Sequence, residues 1–237
     1  MVDLKHINQN NLWYIIGLIA TDGNLSKDKR HINITSKDEK YLFSIRKALG
    51  IKTKIGKKTR EKSKEKRYSY LQFSDVTFYK YLLSLGLTPK KSLTMDRLKI
   101  NRRYFPDFLR GVIDGDGHIS RWIHKTNLHQ QWSLRITSAA PLFIQWLKDE
   151  TEKYFNVNGR LYGFLPKNKK NYIYILKFGK LAAKIIIKQV YYKNALSLNR
   201  KNLKCLLFLQ DKNKMLSYGN VIGPGAGTGR QPRLKIE

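Results

Sequence analysis

The residues best placed to do chemistry lie in two short segments, WYIIGLIATDG at 13–23 and FLRGVIDGDG at 108–117. Aligned on Gly17 and Gly111, they superpose Asp22 on Asp116 and Gly23 on Gly117, 94 residues apart. Each is apolar for two turns and then stops at Asp-Gly. Gly17 and Thr21 are four apart, as are Gly111 and Gly115, so each pair lays small residues along one helix face. A glycine inside a helix costs about 1 kcal/mol relative to alanine, so its recurrence in both copies asks for a packing reason. Helices paired through these faces about a pseudo-twofold axis would bring Asp22 and Asp116 together. Two carboxylates at helix C-termini oppose the helix dipole and each other. A divalent cation relieves both, and Mg2+ suits one or two carboxylates with water and phosphate oxygens. Such a centre can produce an attacking hydroxide and stabilise the leaving oxygen of a phosphodiester. The backbones of Ala20 and Gly115 are further candidate ligands. One copy alone would read as an ordinary helix stop; two copies in matching contexts favour a site.

The balance of charge points to the substrate class. The 237 residues carry 47 Lys and Arg against 17 Asp and Glu, a formal net charge of +30. Self-repulsion of that size suits a polyanionic partner, with nucleic acid favoured over a ribosomal-type or membrane-surface role. At 41% hydrophobic the chain can bury a sizeable core. Its single cysteine, Cys205, excludes an intramolecular disulfide and a Cys-rich zinc site, and its apolar surroundings make it a core residue. No apolar run approaches the roughly 20 residues that span a bilayer, so no membrane partner is expected. The opening MVDLKHINQNN resembles neither a signal peptide nor an Arg-rich presequence. The expected location is therefore the compartment of synthesis, a prokaryotic cytoplasm or nucleoid or an organelle matrix.

The elements around the two acids occur twice in the same order. HINITS at 31–36 and WSLRITS at 132–138 alternate like strands, with Ile32 and Ile34, and Leu134 and Ile136, on the core face. Ser36 and Glu39 form a capping box for a helix over 38–49, and Pro141 opens its counterpart, to about residue 154. Strand pairs follow at 52–58 with 68–73, and at 160–165 with 172–178. Helices over 77–85, stopped by Gly86, and over 180–191 close the halves. The expected division is a first repeat at 1–90, a polar linker at 91–105, a second repeat at 106–212 and a flexible Gly-rich basic tail at 213–237. An amphipathic helix over 202–211 ends the second repeat.

IIGLIATDG at 15–23 and LRGVIDGDG at 109–117, in this order of parts, resemble the LAGLIDADG homing endonucleases in their single-chain, two-repeat form. The resemblance covers about residues 10–212. It implies an α+β fold of two pseudo-symmetric αββαββα halves whose antiparallel sheets form a DNA-binding saddle over the major groove. It also implies Mg2+-dependent double-strand cleavage that leaves short 3′ overhangs. The family's motif acid carries over as Asp22 and Asp116. A lysine late in each repeat carries over as Lys91 in GLTPKKS and Lys201 in LSLNRK, where ordinary solvated surface is the alternative. The chain departs from the family in having serine, Ser36 and Ser138, where relatives often have Gln or Lys. The sixth motif position is Ala20 in one copy and Asp114 in the other, and Asp114 is expected to make a local structural contact.

Double-stranded DNA is then the expected partner. By type and place, Lys52, Lys54, Arg67, Tyr70, Gln72, Arg121, Arg135, Arg160 and Lys177 are its candidate readers, although a one-residue error in strand phase would reverse a side chain's face. The basic loop at 59–67 suits phosphate contact. The insertion at 121–131, with His124 and His129, extends a strand pair or loop over the DNA. Two other functions fit the same scaffold: an intron maturase that binds its host intron RNA, and a DNA-binding regulator without cleavage. Retention of both acids favours the nuclease. The inequivalent halves predict a monomer on a non-palindromic site.

Overall fold

The computed structural model describes residues 1–59, 68–126 and 128–210. Residues 60–67 of the basic loop, Arg67 among them, and the Gly-rich tail therefore lie outside the described residues. The first half contains α1 (Gln9–Thr21), β1 (Gly23–Leu25), β2 (His31–Ser36), α2 (Glu39–Ala48), β3 (Ile55–Lys58), β4 (Tyr68–Ser74) and α3 (Val76–Ser84). The second contains α5 (Phe105–Asp116), β5 (Gly117–Ile123), β6 (Gln130–Ser138), α6 (Pro141–Phe155), β7 (Arg160–Phe164), β8 (Ile173–Phe178) and α7 (Lys180–Val190). A short helix, α4 (Lys91–Thr94), and a 3-10 turn (Arg102–Tyr104) lie between them, and α8 (Asn199–Gln210) follows α7.

This is an α+β fold with two antiparallel four-stranded sheets of matching topology, β1-β2-β4-β3 and β5-β6-β8-β7. The equivalence holds residue by residue, since Gly23 pairs with Ile34 just as Gly117 pairs with Ile136. Alternation sends Ile32, Ile34, Leu71 and Phe73 into the core of one half and Leu134, Ile136, Leu176 and Phe178 into that of the other. Among the described residues no helix covers the opposite face of each sheet, where Asn33 and Gln72 in one and Arg135 and Lys177 in the other keep exposed surface. Among the described residues no helix is long and apolar enough to cross a membrane.

Three local expectations change. Asp38, not Ser36, caps α2, its side chain accepting from the Tyr41 backbone N–H. Ser36 instead accepts from the Asp38 N–H at 3.1 Å and holds the turn before the helix. The strand expected from residue 52 starts only at Ile55, because 51–54 closes the end of α2: Ile51 N–H donates to the Arg46 carbonyl, and Arg46 reaches the Thr53 carbonyl. Lys52 and Lys54 are exposed on this lead-in segment rather than in the ladder. The segment between the repeats is not all polar, since Met95 and Leu98 are buried and Lys99 N–H donates to the Leu85 carbonyl.

Candidate active site

The two repeats meet along α1 and α5. A Cβ on Gly17 would collide with the Phe108 carbonyl, and one on Gly111 with the Tyr14 carbonyl. Phe108 occupies in its repeat the place of Tyr14, so the close approach is reciprocal. Backbone meets backbone here, which only glycine permits, and this accounts for the cost of placing glycine in a helix. Farther along, a Cβ on Gly115 would strike the Thr21 side chain. The helices then run out at their carboxylates, with Asp22 the C-cap of α1 and Asp116 the last residue of α5.

Both carboxylates keep solvent-exposed surface yet are crowded by protein. Desolvation raises the pKa of Asp22 against the pull of Lys201, Lys91 and Arg200. Asp116 is pushed up to about 6, by desolvation first and then by the charge of Asp22. The repulsion expected from two acids at helix ends is therefore present. Lys91 and Lys201 are buried, not solvated, at 6% and 9% exposure. Desolvation lowers each to about 8, against the pull of Asp116 and Asp22 on Lys91 and chiefly of Asp114 on Lys201. The Lys91 ammonium donates to the Gly23 carbonyl. That of Lys201 donates to the Ile113, Asp114 and Gly115 carbonyls at 2.6, 2.7 and 3.1 Å, closing the negative end of α5.

Each acid opens onto its own cleft, and each cleft takes residues from both motifs. A cleft of about 1000 Å³ joins Asp22 with Asp114 and Gly115, beside Ser36, Tyr41 and Arg200. A narrower one of about 210 Å³ joins Asp116 with Ala20 and Thr21, beside Ser138, Lys91 and Phe143. The symmetry mate of Gly115 is thus Thr21, one residue beyond the Ala20 backbone suggested by sequence. The Gly115 carbonyl is already engaged by Lys201. Ser138 mirrors Ser36, accepting from the Ala140 N–H at 3.1 Å. Among the described residues no cluster of three or more His, Cys, Asp or Glu could hold a metal. Two carboxylates with main-chain oxygens nearby remain a fitting set for Mg2+, which keeps most of its shell as water and substrate oxygen.

Sequence reasoning undervalued Asp114. It is 1% exposed and accepts from Tyr14 OH at 2.7 Å, Tyr191 OH at 2.6 Å and the Leu198 N–H at 2.6 Å. Its contacts are long-range rather than the local one expected, and they fix the strap that carries Lys201. Arg110 acts beside it, fully buried, donating to the Leu196 and Val190 carbonyls and ion-paired with Asp107 at 2.7 Å. A charged residue inside an otherwise apolar motif was the available signal for both.

The uncovered sheet faces hold several of the candidate DNA readers. Tyr70 and Gln72 pair with Thr35 and Asn33 on the uncovered face of the first sheet. Arg135, Lys177 and Arg160 form one lateral row on that of the second. Arg121 has the opposite phase: it pairs with the buried Trp132, stacks over its ring at 5.8 Å and donates to Gln130. Its neighbour Trp122 takes the uncovered side. His124 and His129 sit at the exposed turn of the β5–β6 hairpin, bonded backbone to backbone.

Paired sheets backed by helices and joined through a glycine-faced helix pair define the LAGLIDADG fold class. Residues 9–100 match the family described as LAGLIDADG-like domain. The homing endonuclease I-WcaI bound to its DNA recognition sequence is similar over 84% of this chain and 87% of its own, at 14% identity and a TM-score of 0.57. I-DmoI in complex with DNA and Ca is similar over 82% and 97%, at 17% identity and a TM-score of 0.52. Full-length DUF199/WhiA from Thermatoga maritima matches over 84% of this chain at 14% identity and a TM-score of 0.51, the match spanning 60% of its length. No curated protein matches the sequence. Residues 9–100 are thus similar to the LAGLIDADG-like domain, and the chain shares its fold with these structures.

Proposed function

We propose that this protein is a site-specific DNA endonuclease that cuts both strands of a long, non-palindromic duplex in a Mg2+-dependent reaction leaving short 3′ overhangs, acting as a monomer. The observation that carries the reading is the pair of composite clefts, each with one motif acid and residues of the other motif at its wall. Two clefts related by the pseudo-twofold arrangement suit two cuts, one per strand. Asp22 and Asp116 would hold the divalent cation, which when bound supplies Lewis acidity and a hydroxide at neutral pH. Lys91 and Lys201, lowered to about 8, remain mostly protonated at neutral pH and place positive charge beside the scissile phosphates. The +30 charge supplies sequence-independent attraction to the duplex.

The test is incubation of the protein and its Asp22→Asn and Asp116→Asn variants with a library of duplex targets and Mg2+. Cleavage of a discrete target by the wild-type protein, with double-strand cutting abolished and binding kept in each variant, is the expected result. A wild-type protein that binds duplex but cuts none of the library refutes the reading. A second function, DNA binding without cleavage, has one observation in its favour. The Lys201 ammonium holds the Gly115 carbonyl that would otherwise face the Asp22 cleft. The fold is common to two homing endonucleases and DUF199/WhiA, and the cleavage assay separates the two readings.

A further inference from the structure

Two residues beyond each motif acid, the sheets carry geometrically equivalent rows of opposite chemistry. In the first, Asn24 pairs with Asn33 and Asn33 with Gln72. In the second, His118 pairs with Arg135, Arg135 with Lys177 and Lys177 with Arg160. Both rows lie on the uncovered faces, because the chain neighbours of Asn33, Gln72, Arg135 and Lys177 are all buried core residues. At about 3.3 Å per strand residue, the rows stand at matching distances from their carboxylates. Asn33, Gln72, Arg135 and Lys177 belong to central strands. A duplex lying across both faces would meet these strands at the floor of its groove and the edge strands nearer its phosphates.

The hydrogen-bonding capacities differ in kind. The amides of Asn33 and Gln72 are linked at 3.2 Å, and Thr35 donates to Asn33 at 3.1 Å, so this row presents donors and acceptors in a fixed array. Arg135 and Lys177 can only donate, neither has an ion-pair partner among the described residues, and Arg135 Nε has no hydrogen-bond partner there. Adenine offers the groove one donor and one acceptor and is matched by Asn or Gln; guanine offers two acceptors and is matched by Arg or Lys.

Resting on the DNA-binding part of the function proposed above, we infer that the two sheets read different bases at equivalent distances from the cleavage centre. Asn33 and Gln72 select A·T pairs in one half-site, and Arg135 and Lys177 select G·C pairs in the other. The target is then non-palindromic for a defined chemical reason.

The experiment is selection of randomised duplexes by binding, with cleavage disabled by Asp22→Asn and Asp116→Asn. It is run on that chain, on the same chain with Arg135→Asn and Lys177→Gln, and on the reciprocal chain with Asn33→Arg and Gln72→Lys. The expected consensus has G·C pairs in one half and A·T pairs at the mirrored positions. The first swap should turn those G·C positions toward A·T by about tenfold or more, and the reciprocal swap should turn the other half toward G·C. The reciprocal chain keeps the inference testable if the first swap does not fold. A consensus unmoved by either swap, with only affinity and salt dependence reduced, means that these side chains grip phosphate and overturns the inference while leaving the nuclease reading intact. Absence of any enriched duplex with the unswapped chain overturns both.

Discussion

The two repeats deliver a lysine to the same centre by different physical means. In the first, α1 is apolar where α5 is charged: Ile16 stands in the place of Arg110, and Ala20 in that of Asp114. Lys91 is anchored by the chain that follows it, through the buried Met95 and Leu98 and the Lys99 bond to Leu85. In the second, Lys201 lies beyond a strap after α7, and a buried polar network does the fastening. Arg110 holds the Val190 and Leu196 carbonyls and Asp114 holds the Leu198 N–H. The network also spans the halves, since Tyr41 and Tyr14 of the first repeat are hydrogen-bonded in series to Asp114. The difference teaches that backbone geometry at the helix contact is held in common, while the means of holding each strap is free to vary.

The strongest way to break this comparison is Arg110→Ala, which leaves Asp107 buried without its ion-pair partner and held, among the described residues, only by the Tyr192 hydroxyl. A loss of about 3–5 kcal/mol is expected in urea unfolding, with hydrogen exchange accelerated across 190–201. Ile16→Ala, a cavity in the other repeat, should lose stability without selectively exposing that strap. Equal exchange at the strap in both variants would sink the fastening role.

Metal addition probes the shared centre. Mg2+ at about a hundredfold excess over its dissociation constant should stabilise the protein by about 2.7 kcal/mol at pH 8. Metal needs the carboxylate form, and Asp116 holds its proton up to about pH 6 without metal. The stabilisation should therefore shrink as pH falls through 6, and a pH-independent shift in melting temperature would contradict the assignment.

The common geometry is tested by Gly17→Ala and Gly111→Ala. Each drives a Cβ into a carbonyl of the opposite helix, with an expected cost of about 1–3 kcal/mol and near equality between the two. A silent variant on either side would show that the helix contact is not reciprocal.

The smallest effect distinguishes the acids themselves. The folded-state pKa of Asp116 lies above its value of 3.8, so ionisation opposes folding, with no penalty below about pH 4 and the full penalty above about 6. Discounted for its exposure, relief by Asp116→Asn without metal should be about 1 kcal/mol at pH 8 and vanish at pH 3.5. Thermal unfolding at the two pH values checks the sign.

The motif acids, the glycine offsets and the doubled order of elements were legible because each depends on residues close together in the chain. Strand phase was legible where alternation was regular, as at Ile32, Ile34, Leu134 and Ile136. It failed at Arg121, where the phase is set by the insertion hairpin and by Trp132 beneath the side chain. The choice of Asp38 over Ser36 as cap, and the late start of β3, turned on bonds made at the edges of α2. The importance of Asp114 could not be read from its neighbours, because its three donors lie at 14, 191 and 198.

By itself the sequence determined that two small-faced helices each end in an acid, that the pattern occurs twice, and that the chain carries a net charge of +30. Spacing and net charge are properties of the chain, and no packing has to be known to read them. Tertiary structure decided which acid shares a cleft with which backbone, which lysines are buried, which strand residues lie on the uncovered face and how each strap is held. Those follow from contacts between residues far apart in sequence, where burial and reciprocal backbone approach, rather than local preference, select the arrangement.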